Sequence, residues 1–438
     1  MGSLADSAPF RVLVIGGSYG GLSAALNLQD LCRGKEPRCG PAPDKEHGVE
    51  QPQIPIDITI VDERDGFYHA IGGPLVLASE TYAEKAWVKY DEIPALRSPN
   101  IKVLQGSVKS VDTEEKVATF QAHGPGAEEW EIQYDYLVAA AGLRRVWPVV
   151  PKSLRRKEYL LETGDHTRDA LTGRHGVVVV GGGAVGVEIA SELKDLHPET
   201  KVTLVQSRDK LLSAEPLPEE FKDIALDLVR ETGVHVLLSH RLDRTDEARD
   251  DDGVDCYRVH FTNGHTMLAD QVVMAVSKSV PSTDFLPPFA LDEEGYVLVE
   301  STLQFADSSP NASSHFAIGD LAKWSGIKRC GAAMHMGYYA ANNIFMSMVE
   351  ENGIELPVID KPREVLKLDE IPPMMGLAVG KKAISYWPEA GVNSGEDVMK
   401  SFFGDDLAFS ICWNHMRLGT LDLETTVDER FGDLGLAS

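Results

Sequence analysis

Two stretches of the chain share one pattern: an aliphatic run, a glycine-rich turn, then apolar positions at helical spacing. In the first, Arg11-Val12-Leu13-Val14-Ile15 leads into Gly16-Gly17-Ser18-Tyr19-Gly20-Gly21. In the second, Val177-Val178-Val179-Val180 leads into Gly181-Gly182-Gly183-Ala184-Val185-Gly186. Beyond the first turn, Leu22, Ala25, Leu26 and Leu31 keep one face apolar. Beyond the second, Ile189, Leu193 and Leu196 do so at spacings of four and three. Both stretches predict strand, tight turn and helix.

Other apolar runs complete the outline. Ile56 to Val61 reads as a strand ending on Asp62, after a polar, proline- and glycine-rich insertion from about Arg33 to Pro55. Tyr136 to Ala141 reads as a buried strand stopping at Gly142. Lys201 to Val205 is the second strand of the second unit, and Asp270 to Val276 returns the chain to the first. His315 to Ile318 is a short strand ending in Gly319-Asp320, and Leu377 to Ile384 looks like a hairpin. The expected fold class is α/β, with two Rossmann-like dinucleotide-binding domains and a small C-terminal α+β domain. The expected boundaries are 1–150 and 276–350 for the first nucleotide domain, 151–275 for the second and 351–438 for the C-terminal domain.

The turns carry the chemistry. A dinucleotide pyrophosphate needs a tight turn, a bare backbone to approach and free N–H groups at a helix N-terminus. Gly16 and Gly21 fit the first and third glycines of that fingerprint, with Ser18 replacing the middle one. Gly181, Gly183 and Gly186 complete it in the second turn. An acid ending the second strand grips a ribose 2′-OH. Asp62 has that place, although the insertion puts it well beyond the usual ~20 residues from the turn. Two such turns imply two dinucleotides held face to face, as in a flavoenzyme fed by a nicotinamide cofactor. Gln206 ends the strand where NAD-selective enzymes carry an acid, and Ser207 and Arg208 follow, so NADPH is expected to be tolerated beside NADH. Glu188 sits in the first helical turn, either as a carboxylate favoured by the helix's positive end or as a group near the nicotinamide. His69, among the aromatics of Gly66 to Pro74, is read as a packed loop residue or a catalyst. Gly331-Ala332 opens a segment of small residues expected to approach the flavin ring, with His335 behind it as core or catalyst.

Composition narrows the class. A formal net charge of −26 argues against nucleic acid and anionic membrane surfaces. No apolar run reaches the ~20 residues of a membrane span, and no secretory signal is visible, so a soluble cytoplasmic protein is expected. The five cysteines are scattered, with no Cys-x-x-Cys pair and no ligand-like spacing with histidine. Neither a redox disulfide nor a metal site is therefore expected.

Taken together, these residues resemble the FAD-dependent pyridine nucleotide oxidoreductases. Within them the resemblance is to apoptosis-inducing-factor-like flavoproteins of the ferroptosis-suppressor-protein type. It rests on the first turn, Val61-Asp62 with Phe67-Tyr68-His69, Glu80 through Tyr90, Val178 to Glu188, Val202-Thr203-Leu204, Ala317 to Asp320 and Trp413 to Arg417. It implies FAD held by the first turn, Asp62, Lys85, Ala141-Gly142, Gly319-Asp320 and Ala332. It also implies NADH or NADPH held by the second turn, with hydride passing to the flavin and electrons to a quinone or other small acceptor. The resemblance leaves room for a homodimer. An oxidase or dehydrogenase of an organic substrate, or a redox-sensing flavoprotein, would share the same site. Four positions depart from the relatives' pattern: Asp6 where a lipidation signal has Ser or Thr, Ala141 where Thr is common, Ser277 where Gly is common, and Asn414 in place of a lysine.

Overall fold

The computed structural model describes residues 8–38, 52–124, 126–145, 147–276, 280–356 and 363–420. Asp6, Ser277 and most of the expected insertion lie outside the described residues, as does the chain beyond residue 420.

The strand Phe10–Ile15 lies at the centre of a seven-stranded sheet. Ile56–Asp62 pairs with it in parallel on one side and Tyr136–Ala139 on the other. His315–Ala317 and Ile101–Asp112 extend the parallel set at its two ends. An antiparallel meander, Val117–Ala122 and Glu129–Gln133, then closes one edge. A second parallel sheet repeats the plan around Val177–Val180, with Val202–Val205 and His235–Leu237 on one side and Gln271–Met274 on the other. All four residues of Val177–Val180 are buried, as an aliphatic run covered on both faces requires. Each central strand is therefore a point where the chain departs in both directions, which opens a crevice at the strands' carboxyl ends.

The helices follow from the apolar spacing. Tyr19–Cys32 is buried along its whole length. The long helix Cys330–Glu351 covers it through an intimate crossing. A Cβ at Gly337 would lie 2.6 Å from the Gly20 carbonyl oxygen, and the Ser23 hydroxyl donates to the Met334 carbonyl at 2.7 Å. In Ala184–Leu196 the apolar face is shorter than its spacing suggests. Ile189 and Leu193 are buried, but Leu196, on the last turn, is 44% exposed.

The C-terminal part begins with the strands Met375–Val379, Lys382–Trp387 and Gly391–Gly395, paired antiparallel. A two-residue turn with Gly380 at φ +57° joins the first two, which is the hairpin read from the sequence. The hairpin leans on the second nucleotide unit, while the helix Phe409–His415 leans on the first. That second attachment buries Phe409, Cys412, Met416 and Leu418 in the first unit's core and adds polar ties. Tyr82 donates to the Asp406 carbonyl at 2.8 Å, Lys85 pairs with Asp406 at 2.5 Å, and the Ala95 N–H donates to the Leu418 carbonyl at 3.0 Å.

Candidate active site: two matched dinucleotide cradles

The two turns have the same construction. Gly16 and Gly181 adopt φ +109° and +121°, open to glycine alone. Their N–H groups donate to Val61 and Val205, each at 2.8 Å. A Cβ on Gly16 would meet the Ala140 carbonyl oxygen at 2.5 Å, and one on Gly181 the Ala275 carbonyl oxygen at 2.9 Å. Both helices start without a side-chain cap, at Ser18 and Gly183. Their first N–H groups are thus left to a ligand, and a Cβ at Gly183 would meet no protein atom within 4 Å.

The acid position differs between the cradles. In the first, Asp62 accepts from the Gly17 N–H at 2.7 Å and the Arg64 N–H at 2.8 Å. Burial pushes its carboxyl upward, and Arg64 with the Gly17 N–H opposes the rise. A carboxylate has about four acceptor sites, so capacity remains for ribose hydroxyls. In the second, Gln206 takes the equivalent place and accepts from the Gly182 N–H at 3.3 Å. Its amide also donates to the Lys210 carbonyl and the Ser213 hydroxyl, at 3.1 and 3.0 Å. Arg208 is exposed, 3.4 Å from the Ser213 carbonyl oxygen.

These cradles identify the fold. The chain belongs to the pyridine nucleotide-disulphide oxidoreductase family, whose match spans residues 10–337. It is 49% identical to Oxidoreductase OXR1 of Ajellomyces capsulatus, over 95% of this chain and 90% of that one. It is 26% identical to ferroptosis suppressor protein 1 of Mus musculus, over 76% of this chain and 79% of that one. Among solved structures, NDH2 from Plasmodium falciparum in complex with NADH superposes with a TM-score of 0.63 at 13% identity, covering 94% of this chain and 98% of the other. The protein is an apoptosis-inducing-factor-like oxidoreductase that uses FAD and a pyridine nucleotide.

Around this family site the remaining sequence-predicted residues separate into groups. Asp320 follows the strand His315–Ala317, with its carboxyl pushed up by burial. Arg145 approaches it at 3.6 Å, and Lys328 also draws its charge. Gly319, at φ +74°, packs on Ala333, and Gly142, at φ +68°, faces open space. Ala332 lines the hollow beside Asp320, Lys328 and Arg329. Ala141 adjoins the Gly16 turn. Gly20 lies under Ala333 and Gly21 under Gly16, so both serve close packing.

Several side chains point elsewhere than at a ligand. The Tyr19 hydroxyl lies 3.0 Å from His69 Nδ1, so Tyr19 offers the crevice its backbone alone. His69 is fully buried, and its Nε2 donates to the Leu407 carbonyl at 2.8 Å. Burial lowers its pKa to about 4, leaving a neutral ring with both nitrogens engaged. Lys85 is committed to Asp406 and lies 5.1 Å over the Phe409 ring. His335 is exposed and lies tilted against Tyr339, at a 4.4 Å centroid distance. Glu188 lies against the C-terminal hairpin, accepting from the Ala378 N–H at 3.3 Å. Burial raises its pKa to about 8.

The structure adds residues that the sequence pattern did not single out. Tyr90 seals the first turn, donating to the Gly17 carbonyl at 2.9 Å. A Cβ on Gly17 would clash with that hydroxyl at 2.4 Å. Glu192, one turn beyond Glu188, is buried, and its pKa is likewise raised to about 8 by burial and then by Glu188. Helical spacing from Glu188 signals it, whereas Tyr90 falls inside the segment from Glu80 that carries the resemblance, with no pattern to mark its hold on Gly17. Among the described residues no His, Cys, Asp and Glu cluster suits a metal ion, and no helix is long and apolar enough to cross a membrane.

Proposed function

We propose that the protein passes reducing equivalents from NADH or NADPH to a quinone or similar small acceptor. FAD, when bound, supplies the two-electron carrier between the nicotinamide and that acceptor. The observation that carries the reading is the match between the two cradles, which differ chiefly at Asp62 and Gln206. Ser18 and Tyr19 offer backbone N–H groups to the flavin's pyrophosphate, Gly17 keeps the turn bare beside Asp62, Asp62 holds the ribose, and Asp320 holds the ribitol. In the second cradle Gly181 and Gly186 shape the turn and Gly183 leaves the approach open for the pyridine nucleotide, and Gln206 with Arg208 leaves a 2′-phosphate unopposed. Glu188, with a pKa of about 8, holds a proton near neutrality where the second cradle's helix meets the C-terminal hairpin. Trp413, stacked on Phe409 at 5.6 Å, walls the acceptor side. The quinone acceptor is supported by the resemblance to ferroptosis suppressor protein 1.

Anaerobic mixing of the flavin-loaded protein with NADH and with NADPH tests this. Rapid bleaching of the flavin by both, followed by re-oxidation on adding a short-chain ubiquinone analogue, is expected. Bleaching without re-oxidation by any quinone removes the quinone reading, and bleaching only by an organic metabolite points to a dehydrogenase.

A further inference from the structure

We propose that residues 363–374 form a strap that opens and closes beside Asp320, that Asn343 is its catch, and that its opening sets the rate at which FAD leaves. The inference rests on the reading of Asp320 as the ribitol contact. The segment leads into the strand Met375–Val379 and has no helix or strand of its own. Of its side chains only Leu368 is buried. Its backbone groups therefore depend on partners elsewhere.

Two buried asparagines supply most of them. Asn342 and Asn343 are 1% and 2% exposed in the helix Cys330–Glu351, where asparagine is a poor helix former. Asn343 bonds to both main-chain groups of Leu366. Its Oδ1 accepts from the N–H at 2.7 Å, and its Nδ2 donates to the carbonyl at 2.8 Å. The same Nδ2 donates to the Thr302 carbonyl at 2.9 Å. Asn342 donates to the Glu364 carbonyl at 2.8 Å, and the Leu368 N–H donates to the Ser301 carbonyl at 2.7 Å. One amide side chain thus joins the strap, the helix and the turn at Thr302.

The far end closes on the hollow. The Ile371 N–H donates to the Ser325 hydroxyl at 2.7 Å, and Trp324 Nε1 donates to the Asp369 carbonyl at 3.0 Å. Gly326, at φ +85°, lets the two backbones meet, since a Cβ there would lie 2.9 Å from the Ile371 carbonyl oxygen. Ile371 is one wall of the hollow that Asp320, Lys328 and Ala332 also line. Pro372 and Pro373 follow it and stiffen the approach to the hairpin. A segment held by one buried side chain and a few hydrogen bonds opens locally, long before the sheets do. Val12 to Ile15, by contrast, are buried and paired on both sides. A group held at Asp320 shares its hollow with Ile371, so its departure is tied to the strap.

Two readouts on the flavin-loaded protein test this. Hydrogen exchange read by mass spectrometry should show residues 364–371 exchanging well before Phe10–Ile15, and earlier still in N343A. FAD release, timed by rapid desalting after dilution, should be about tenfold faster in N343A and about threefold faster in S325A. S325A removes only the exposed acceptor of the Ile371 N–H and carries the test if N343A fails to fold. Faster exchange at the strap with unchanged FAD release overturns the proposal, as does a strap that exchanges no faster than Phe10–Ile15. D320N tells the two readings apart. If it holds FAD as tightly as the wild type, the ribitol assignment falls, while the strap is still judged by N343A and S325A.

Discussion

Gly21 and Gly186 stand in the same relation to their own turns: a Cβ on either would lie 1.8 Å from the carbonyl oxygen of Gly16 or Gly181, respectively. That oxygen is backbone, so neither turn can move aside cheaply. G186A should therefore disturb the second cradle while leaving the first intact. The purified variant is expected to remain yellow but to bind NAD(P)H at least about tenfold more weakly, a change of about 1.4 kcal/mol. G21A should emerge with flavin depleted. A G186A protein reduced by NADH at the wild-type concentration dependence would refute the assignment.

The cradles were legible because backbone constraints leave a local signature. A tight turn needs glycine at φ near +110° and a close strand–helix approach needs another five residues on, so both appear as letters in fixed register. The buried strands Phe10–Ile15 and Val177–Val180 were legible for a similar reason. What sequence could not show depends on contacts distant along the chain. His69 reads as a candidate catalyst until Tyr19 and Leu407 take both its nitrogens. Lys85 reads as a cofactor contact until Asp406 pairs with it. Leu196 shows the converse, a residue in correct helical phase whose face has run out of partner at the helix end.

Gln206 should govern the choice of pyridine nucleotide. Its side-chain oxygen already accepts from the Gly182 and Ser207 N–H groups, at 3.3 and 3.1 Å. Q206E keeps an acceptor there but places a negative charge where a 2′-phosphate would lie. The ratio of flavin reduction rates, NADH over NADPH, is expected to rise about tenfold or more, consistent with a 1.4 kcal/mol repulsion. Stopped-flow bleaching with each nucleotide measures it, and an unchanged ratio would show that the 2′-position lies elsewhere.

His69 should behave as a positioning residue. Replacing it with phenylalanine leaves the buried Leu407 carbonyl unpaired and weakens the Tyr19 hydroxyl's network, a loss of about 1–3 kcal/mol. The ring's folded pKa of about 4 lies below its ordinary 6.5. The unfolded chain therefore binds the proton first on acidification. Stability from this group is complete above about 6.5 and is lost as pH falls towards 4, by about 3 kcal/mol. H69F should have a lower melting temperature at neutral pH and a flatter acid limb, with flavin reduction by NADH unchanged. A collapse of flavin reduction in a folded H69F protein would instead give His69 a part in the chemistry.

Glu188 and Glu192 lie one helical turn apart, and both carboxyls are pushed from 4.5 to about 8 by burial. Glu192 is 6% exposed, and its Oε1 has no hydrogen-bond partner. Both groups keep their protons in the fold at pH values where the unfolded chain has released them. Stability from Glu192 is therefore present below about 4.5 and is lost as pH rises towards 8, by up to about 5 kcal/mol. Glu188 adds to the loss, because its own ionisation would set a second negative charge on the same helix face. E192Q cannot ionise and fills the same space with a neutral amide. The wild-type melting temperature is expected to fall between about pH 6 and about pH 9, while that of E192Q stays nearly level and overtakes it at the alkaline end. Parallel curves for the two proteins would mean that Glu192 ionises as freely in the fold as in the unfolded chain, and that the space it shares with Glu188 is wet.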